Sequence, residues 1–140
     1  MENDLSRFIS AQQSTYAAAL SEIKNGRKRG HWMWFIFPQI QGLGFSETSR
    51  YYAVKGLDEA KAYLDDPVLG SRLVEICHAL LKLDGNNANQ IFGSPDDIKL
   101  RSSMTLFAAV PGANPVFQSV LAQFFGGEND KKTLQLLGTF

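Results

Sequence analysis

The sequence predicts an all-α domain, a compact array of about six to eight helices. Three observations predict it. Apolar residues recur at three- and four-residue spacing in one segment after another. The strict alternation of a half-buried strand is nearly absent. The periodic segments are separated only by short breaks rich in Gly, Pro, Asp and Asn, with no repeat and no long linker, so residues 1–140 form one domain. A chain of 140 residues, 44% hydrophobic and 20% charged, hides about two thirds of its unfolded surface on folding and needs no disulfide or metal to hold its core.

The first helix is expected over residues 4–25. Leu5, Phe8, Ile9, Gln12, Tyr16, Ala19, Leu20 and Ile23 form one stripe. Asn3 or Asp4 caps its start, and Gly26 closes it in the left-handed conformation that glycine takes cheaply. Lys24, Arg27 and Lys28 then fall at the negative end of the helix dipole. Residues 31–44, HWMWFIFPQIQGLG, hold both tryptophans with Phe35 and Phe37. Residues 33–37 are apolar on every side and end at Pro38; with no strand to pair with, they are expected as a helical turn. One buried tryptophan hides about 150–250 Å², on the order of 4–6 kcal/mol gross at about 25 cal/mol per Å². This segment is the hub around which the other helices wrap.

Gly42-Leu43-Gly44 is a turn. Ser46 and Glu47 open the next helix, with Tyr51, Tyr52 and Val54 pointing inward. Gly56 interrupts, and Asp58 caps a short helix over 59–64. Asp66-Pro67 starts another with proline at its first position; its apolar face includes Leu69, Leu73, Ile76, Cys77 and Leu80, and Asp84-Gly85-Asn86-Asn87 ends it. Gly93 to Asp97 make a turn and cap leading into a helix over 98–110. A break at 111–115, a helix over 116–125 closed by Gly126-Gly127, and a last short helix over 130–137 complete the chain.

Fourteen basic and fourteen acidic residues give zero net charge, so bulk attraction to nucleic acid or a membrane is not expected. Nucleic-acid binding through the local basic run at 24–29 is the weakest reading. No window approaches the roughly 18 uncharged apolar residues of a membrane span, and MENDLSRF has no signal-type core, so a cytoplasmic location is expected. The single Cys77 suits a reducing compartment. His31 and the adjacent Cys77-His78 offer no metal-ligand spacing, and the glycine pairs fit neither a phosphate loop nor a dinucleotide fingerprint, so no metal and no cofactor are expected.

Function is sought among polar residues beside the apolar runs. Burying such groups without partners costs several kcal/mol, so they either pair or line a cleft. The expected cleft is walled by Trp32, Trp34, Phe37 and Tyr51 and binds a small anionic or nucleotide-like ligand. Lys28, Arg29, His31 and Trp34 would hold it from the hub side. Gln39, Arg72, Lys99 and Arg101 would meet them across the fold. His31, Asp97 and Glu47 are the candidate acid–base groups, with turnover left open. Each has a competing structural role: a backbone hydrogen bond for His31, a helix cap for Asp96 and Asp97, core packing for the tryptophans. Without a Gly-x-Ser-x-Gly elbow, Ser102-Ser103 reads as a close helix contact rather than a serine hydrolase. The competing function is a non-enzymatic protein–protein interaction module using an exposed aromatic patch, a homo-oligomer among its forms.

Four stretches in order, GRKRGHWMWFIFPQIQGLG, YYAVKGLDEAKAYLDDPVLGSRL, IFGSPDDIKLRSSMTLF and FFGGENDKKTLQLLG, resemble a bacterial family of small proteins of unknown function, often labelled calpastatin. The likeness spans nearly the whole chain. It implies an all-helical domain of its own fold type and supplies no reaction. Calpastatin-type protease inhibition is rejected on composition, since such inhibitors are intrinsically disordered and this chain is rich in core residues. Residues 46–72, with Ser46-Glu47, Ala53-x-Lys55, Pro67 and Arg72, are loosely similar to the segment bearing the catalytic glutamate of the NAD/ADP-ribose-related N-glycosidase superfamily. Aligning Ala53 and Lys55 places Thr48, not Glu47, at that position, which undermines the transfer.

Overall fold

In the computed structural model, which describes residues 4–138, the first apolar stripe folds as two helices, α1 (Ser6–Gln13) and α2 (Tyr16–Lys24). The single helix expected over 4–25 breaks at Ser14-Thr15, whose hydroxyls favour turns over helix interiors. Phe8 and Gln12 are buried before the break, Ala19 and Ile23 after it. Asp4 serves the start of α1, its Oδ1 accepting the Ser6 amide at 3.1 Å; Asn3 lies outside the described residues. Gly26, at φ +79°, ends α2 as expected.

The hub segment forms the expected helical turn, α3 (Met33–Ile36). Trp32 is 1% exposed and packs with Phe37 and Phe92 at ring separations of 6.2 and 6.4 Å. The chain then leaves the core and returns through an isolated parallel bridge. The Gln41 amide donates to the Val54 carbonyl at 2.7 Å and the Val54 amide to that of Gln39 at 2.8 Å. Between them lies α4 (Glu47–Tyr51), where Ser46 Oγ accepts the Ser49 amide at 3.1 Å. Tyr51 does not point inward: it is 60% exposed and meets Tyr52 edge-on at 4.8 Å. A helix this short with no buried residue offers no inner face.

Helices α5 (Leu57–Asp65) and α6 (Leu69–Leu81) meet at Gly70, where an added Cβ would stand 2.1 Å from the Leu64 carbonyl oxygen. α6 begins later than Pro67, because Asp66 Oδ1 accepts the Val68 and Leu69 amides at 2.9 and 3.0 Å and so keeps the proline in the turn. The stretch after α6 contains a further helix, α7 (Ala88–Phe92), capped by Asn87 Oδ1 on the Gln90 amide at 3.2 Å. This helix and the split first stripe raise the count to ten among the described residues, against the six to eight expected.

α8 (Asp96–Ala108), α9 (Val116–Phe125) and α10 (Lys131–Leu137) complete the array. α8, and not the tryptophan segment expected as the hub, is the central element: it packs on α5, α7, α9 and α10 with every residue from Ser102 to Phe107 buried, whereas the short α3 packs chiefly on α1. α6 lies beside α8 against α2, α5 and α9. No helix of the described residues is long and apolar enough to cross a membrane.

Candidate functional site

Glu22, on α2, shapes the loop that carries the basic run. Its Oε1 accepts the Arg29 amide at 2.7 Å and the Gly30 amide and Trp32 indole N–H at 2.9 Å each. Burial works to raise the Glu22 pKa, but these donors and the Lys28 charge hold it below its ordinary value. The loop so formed sends Lys28 to the start of α8. Its Nζ is 2.9 Å from Asp96 Oδ2 and 5.1 Å from the Trp32 ring centre. Lys99 Nζ stands 3.5 Å from the other Asp96 oxygen and 5.1 Å from the Trp34 ring.

Lys28, Trp34 and Lys99 are therefore brought together, around Asp96. The carboxylate sits in the first turn of α8, where negative charge is favoured, and it neutralises much of the field an anion would need. Lys28 is only 8% exposed and its ammonium also donates to the Gly30 carbonyl at 2.5 Å, so it acts as a clamp. Arg29 and His31 are exposed. Asp97 accepts from Asn89 Nδ2 at 3.3 Å and from the Ile98 amide at 2.9 Å; it lies inside the first turn of α8 and is not its cap, which is Pro95 without a side-chain cap bond.

The other candidates have separate surroundings. Arg101 lies 5.9 Å over the Phe125 ring, its Nε buried without a partner among the described residues. Gln39 serves the bridge through its backbone, and Glu47 is exposed in the first turn of α4. Arg72 stacks 5.2 Å over Tyr16 and reaches Gln12 Oε1 at 3.4 Å. Trp32 and Phe37 are core residues and Tyr51 is on the surface, so the four aromatics do not wall one cleft.

A concavity of about 1200 Å³ runs instead along the outer face of α6. Ser71, Glu75, His78 and Lys82 recur at three- and four-residue spacing and share that face. Lys24 of α2, Lys61 and Asp65 of α5, and the loop over 111–114 form the opposite walls, and Leu64, Val74, Val110 and Phe117 supply an apolar floor. Lys61 and Asp65 pair with each other at 2.6 Å. Lys24 and Lys82 have no carboxylate partner among the described residues. Each ends a helix, where a cation is favoured by the dipole even without a ligand.

Glu75 is fixed from behind. The Tyr16 hydroxyl donates to its Oε1 at 2.5 Å and lies 3.0 Å from the Arg72 carbonyl. Burial, then the neighbouring Glu75, push the Tyr16 pKa well up, so its proton stays on the phenol. Inward of this pair, the buried Gln12 amide donates to the Phe35 carbonyl at 2.7 Å and to the Tyr63 hydroxyl at 3.0 Å. Cys77 faces the interior, 3.6 Å from Met104 Sδ, and burial pushes its thiol pKa up; it offers no nucleophile to the groove.

Besides its apolar face, α6 offered Arg72 as a ligand-binding candidate, and that side chain turns to Tyr16 and Gln12 and does not line the groove. The polar spacing at 71, 75, 78 and 82 was visible, but any solvated helix face has it; the walls on either side make the groove. No group of three or more His, Cys, Asp or Glu side chains suited to a metal occurs among the described residues.

A search of curated proteins finds no match. Among solved structures, the chain is similar to the conserved hypothetical protein Rv1873 from Mycobacterium tuberculosis, with 47% identity, 98% of each chain covered and a TM-score of 0.94. The family model described as "Protein of unknown function (DUF1810)" matches residues 2–137. The chain belongs to that family.

Proposed function

We propose that this chain is a small-molecule-binding domain, and that its ligand is an anion of about mononucleotide size lying in the groove along α6. The observation that supports this reading is the pair of unneutralised ammonium groups, Lys24 and Lys82, on an apolar-floored groove. Its volume, about 1200 Å³, is ample for a small molecule; such sites run to roughly 300–1,000 Å³. Exposed charge contacts contribute at most about 1 kcal/mol each, so the floor must supply the rest. A planar ring burying about 150 Å² adds about 4 kcal/mol. The gross sum, about 6 kcal/mol, is offset by the freedom lost on association, so the Kd is expected to be weaker than tens of micromolar. The Lys28–Asp96–Lys99 corner is the poorer anion site because both of its ammonium groups are held by Asp96, at 2.9 and 3.5 Å, and Lys28 also donates to the Gly30 carbonyl.

The test is a thermal-shift titration with nucleoside monophosphates on the wild type, on Lys24→Ala/Lys82→Ala and on Lys28→Ala/Lys99→Ala. The reading predicts stabilisation of the wild type, loss of it in the first double variant and retention in the second. Stabilisation lost only in the second variant, or absent from the wild type, contradicts it. A partner-binding module is the second reading, favoured by one observation: Phe45 and Tyr51 are 78% and 60% exposed. A concentration-dependent sedimentation coefficient that Phe45→Ser/Tyr51→Ser abolishes would support it.

A further inference from the structure

We infer that Glu75 is the specificity-determining residue of this groove, selecting ligands that carry an N–H donor about two helical turns from their anionic group. The inference rests on the groove reading and adds the ligand's polarity and length.

Glu75 differs from the other acid in the groove. Asp65 is taken up by Lys61 at 2.6 Å, whereas Glu75 has no cationic partner within salt-bridge distance among the described residues. The Tyr16 hydroxyl holds one of its oxygens at 2.5 Å, and Tyr16 is itself half-buried under the Arg72 guanidinium. The carboxylate is thereby oriented, and its other oxygen keeps its full capacity to accept. A carboxylate only accepts, so what it recognises must be a donor.

The distance to the cationic end fixes the length. Glu75 and Lys82 are seven positions apart on one helix, about 10 Å along the axis at about 1.5 Å per residue. His78 lies between them, and Val110 and Phe117 floor the space. A molecule that reaches both ends has an anionic group, an apolar or planar body, and a donor at the far side. A nucleoside monophosphate with an amine- or imide-bearing base meets all three demands. Inorganic phosphate is too short, and a fatty acid has no donor to offer.

A hydrogen bond to a charged group in a partly exposed site is worth about a tenfold preference. The experiment is isothermal titration calorimetry of the full chain with AMP, GMP and CMP, and with purine riboside 5′-monophosphate, whose base has no N–H. Wild type, Glu75→Gln and Lys24→Ala/Lys82→Ala are compared. We expect at least one of the three donor-bearing nucleotides to bind the wild type about tenfold more tightly than purine riboside 5′-monophosphate. Glu75→Gln should bring that ratio close to one, by weakening the donor-bearing nucleotides relative to purine riboside 5′-monophosphate. Equal affinities in the wild type, or a ratio that survives Glu75→Gln, overturn the role of Glu75 and leave the groove reading standing. Absence of binding by all four, or binding that Lys24→Ala/Lys82→Ala does not weaken, overturns the groove reading and the inference with it.

Discussion

The indole N–H of Trp32 is held at 2.9 Å by Oε1 of Glu22, a residue of the preceding helix, and the same oxygen carries the Arg29 and Gly30 amides. One carboxylate oxygen thus orients the buried aromatic hub and the loop leading to it. Glu22→Ala is expected to cost about 2 kcal/mol, since it strands donors beside the core. Glu22→Gln, which keeps an oxygen, should cost less. The pH dependence has a definite sign. The folded-state pKa is depressed below the ordinary 4.5, so the unfolded chain takes up the proton more readily. The stabilisation is complete above that ordinary value and is lost as pH falls through the folded one. Urea unfolding of wild type and Glu22→Gln should show a stability gap at pH 7 that narrows on acidification.

Gly70→Ala sets two effects against each other. Alanine gains about 1 kcal/mol of helix propensity over glycine. The new Cβ would stand 2.1 Å from the Leu64 carbonyl oxygen, a backbone atom that moves only if α5 moves. Overpacking of this kind costs about 1–3 kcal/mol or more, so the substitution is expected to lower the urea midpoint, with a change in Tm checking the direction.

Arg7 and Glu59 form a buried pair at 3.0 Å, their side chains 11% and 1% exposed. Glu59 Oε1 also accepts the Lys55 amide at 3.0 Å, while Arg7 Nε and Glu59 Oε2 are buried without partners among the described residues. Removing one partner leaves the other charge desolvated, so Glu59→Ala or Arg7→Ala is expected to cost about 3–5 kcal/mol. Replacing both together should cost clearly less than the sum. A double-mutant cycle in urea measures the coupling.

Asp96→Asn separates the hub corner from the groove. It removes the countercharge shared by Lys28 and Lys99 and is expected to destabilise the fold by about 2 kcal/mol. Binding in the α6 groove should be unchanged when measured calorimetrically below the unfolding transition.

Local chemistry made much of the fold legible. The ends of α9 follow from the break before Val116 and the glycines after Phe125, and the starts of α4 and α10 from Ser46 and Asp130, whose side chains accept amides three residues on. Burial of Trp32 was legible because no other segment concentrates so much apolar area. What depended on contacts far along the chain was not. The five residues of α7 become a helix by burying Ala88, Ile91 and Phe92 beside α8, and an Asn-rich stretch conceals that face. Lys28 and Lys99 could be suspected of meeting, but not that Asp96 would stand between them. Lys24 and Lys82 share a groove only because α2 packs on α6.

The central claim is that ligand binding belongs to the outer face of α6, and amide chemical-shift mapping tests it most directly. Titration of the ¹⁵N-labelled chain with AMP, GMP and CMP should perturb residues 71–83 and 111–114, together with Lys24. Shifts confined to residues 28–34 and 96–101, or no shifts at all, would contradict it.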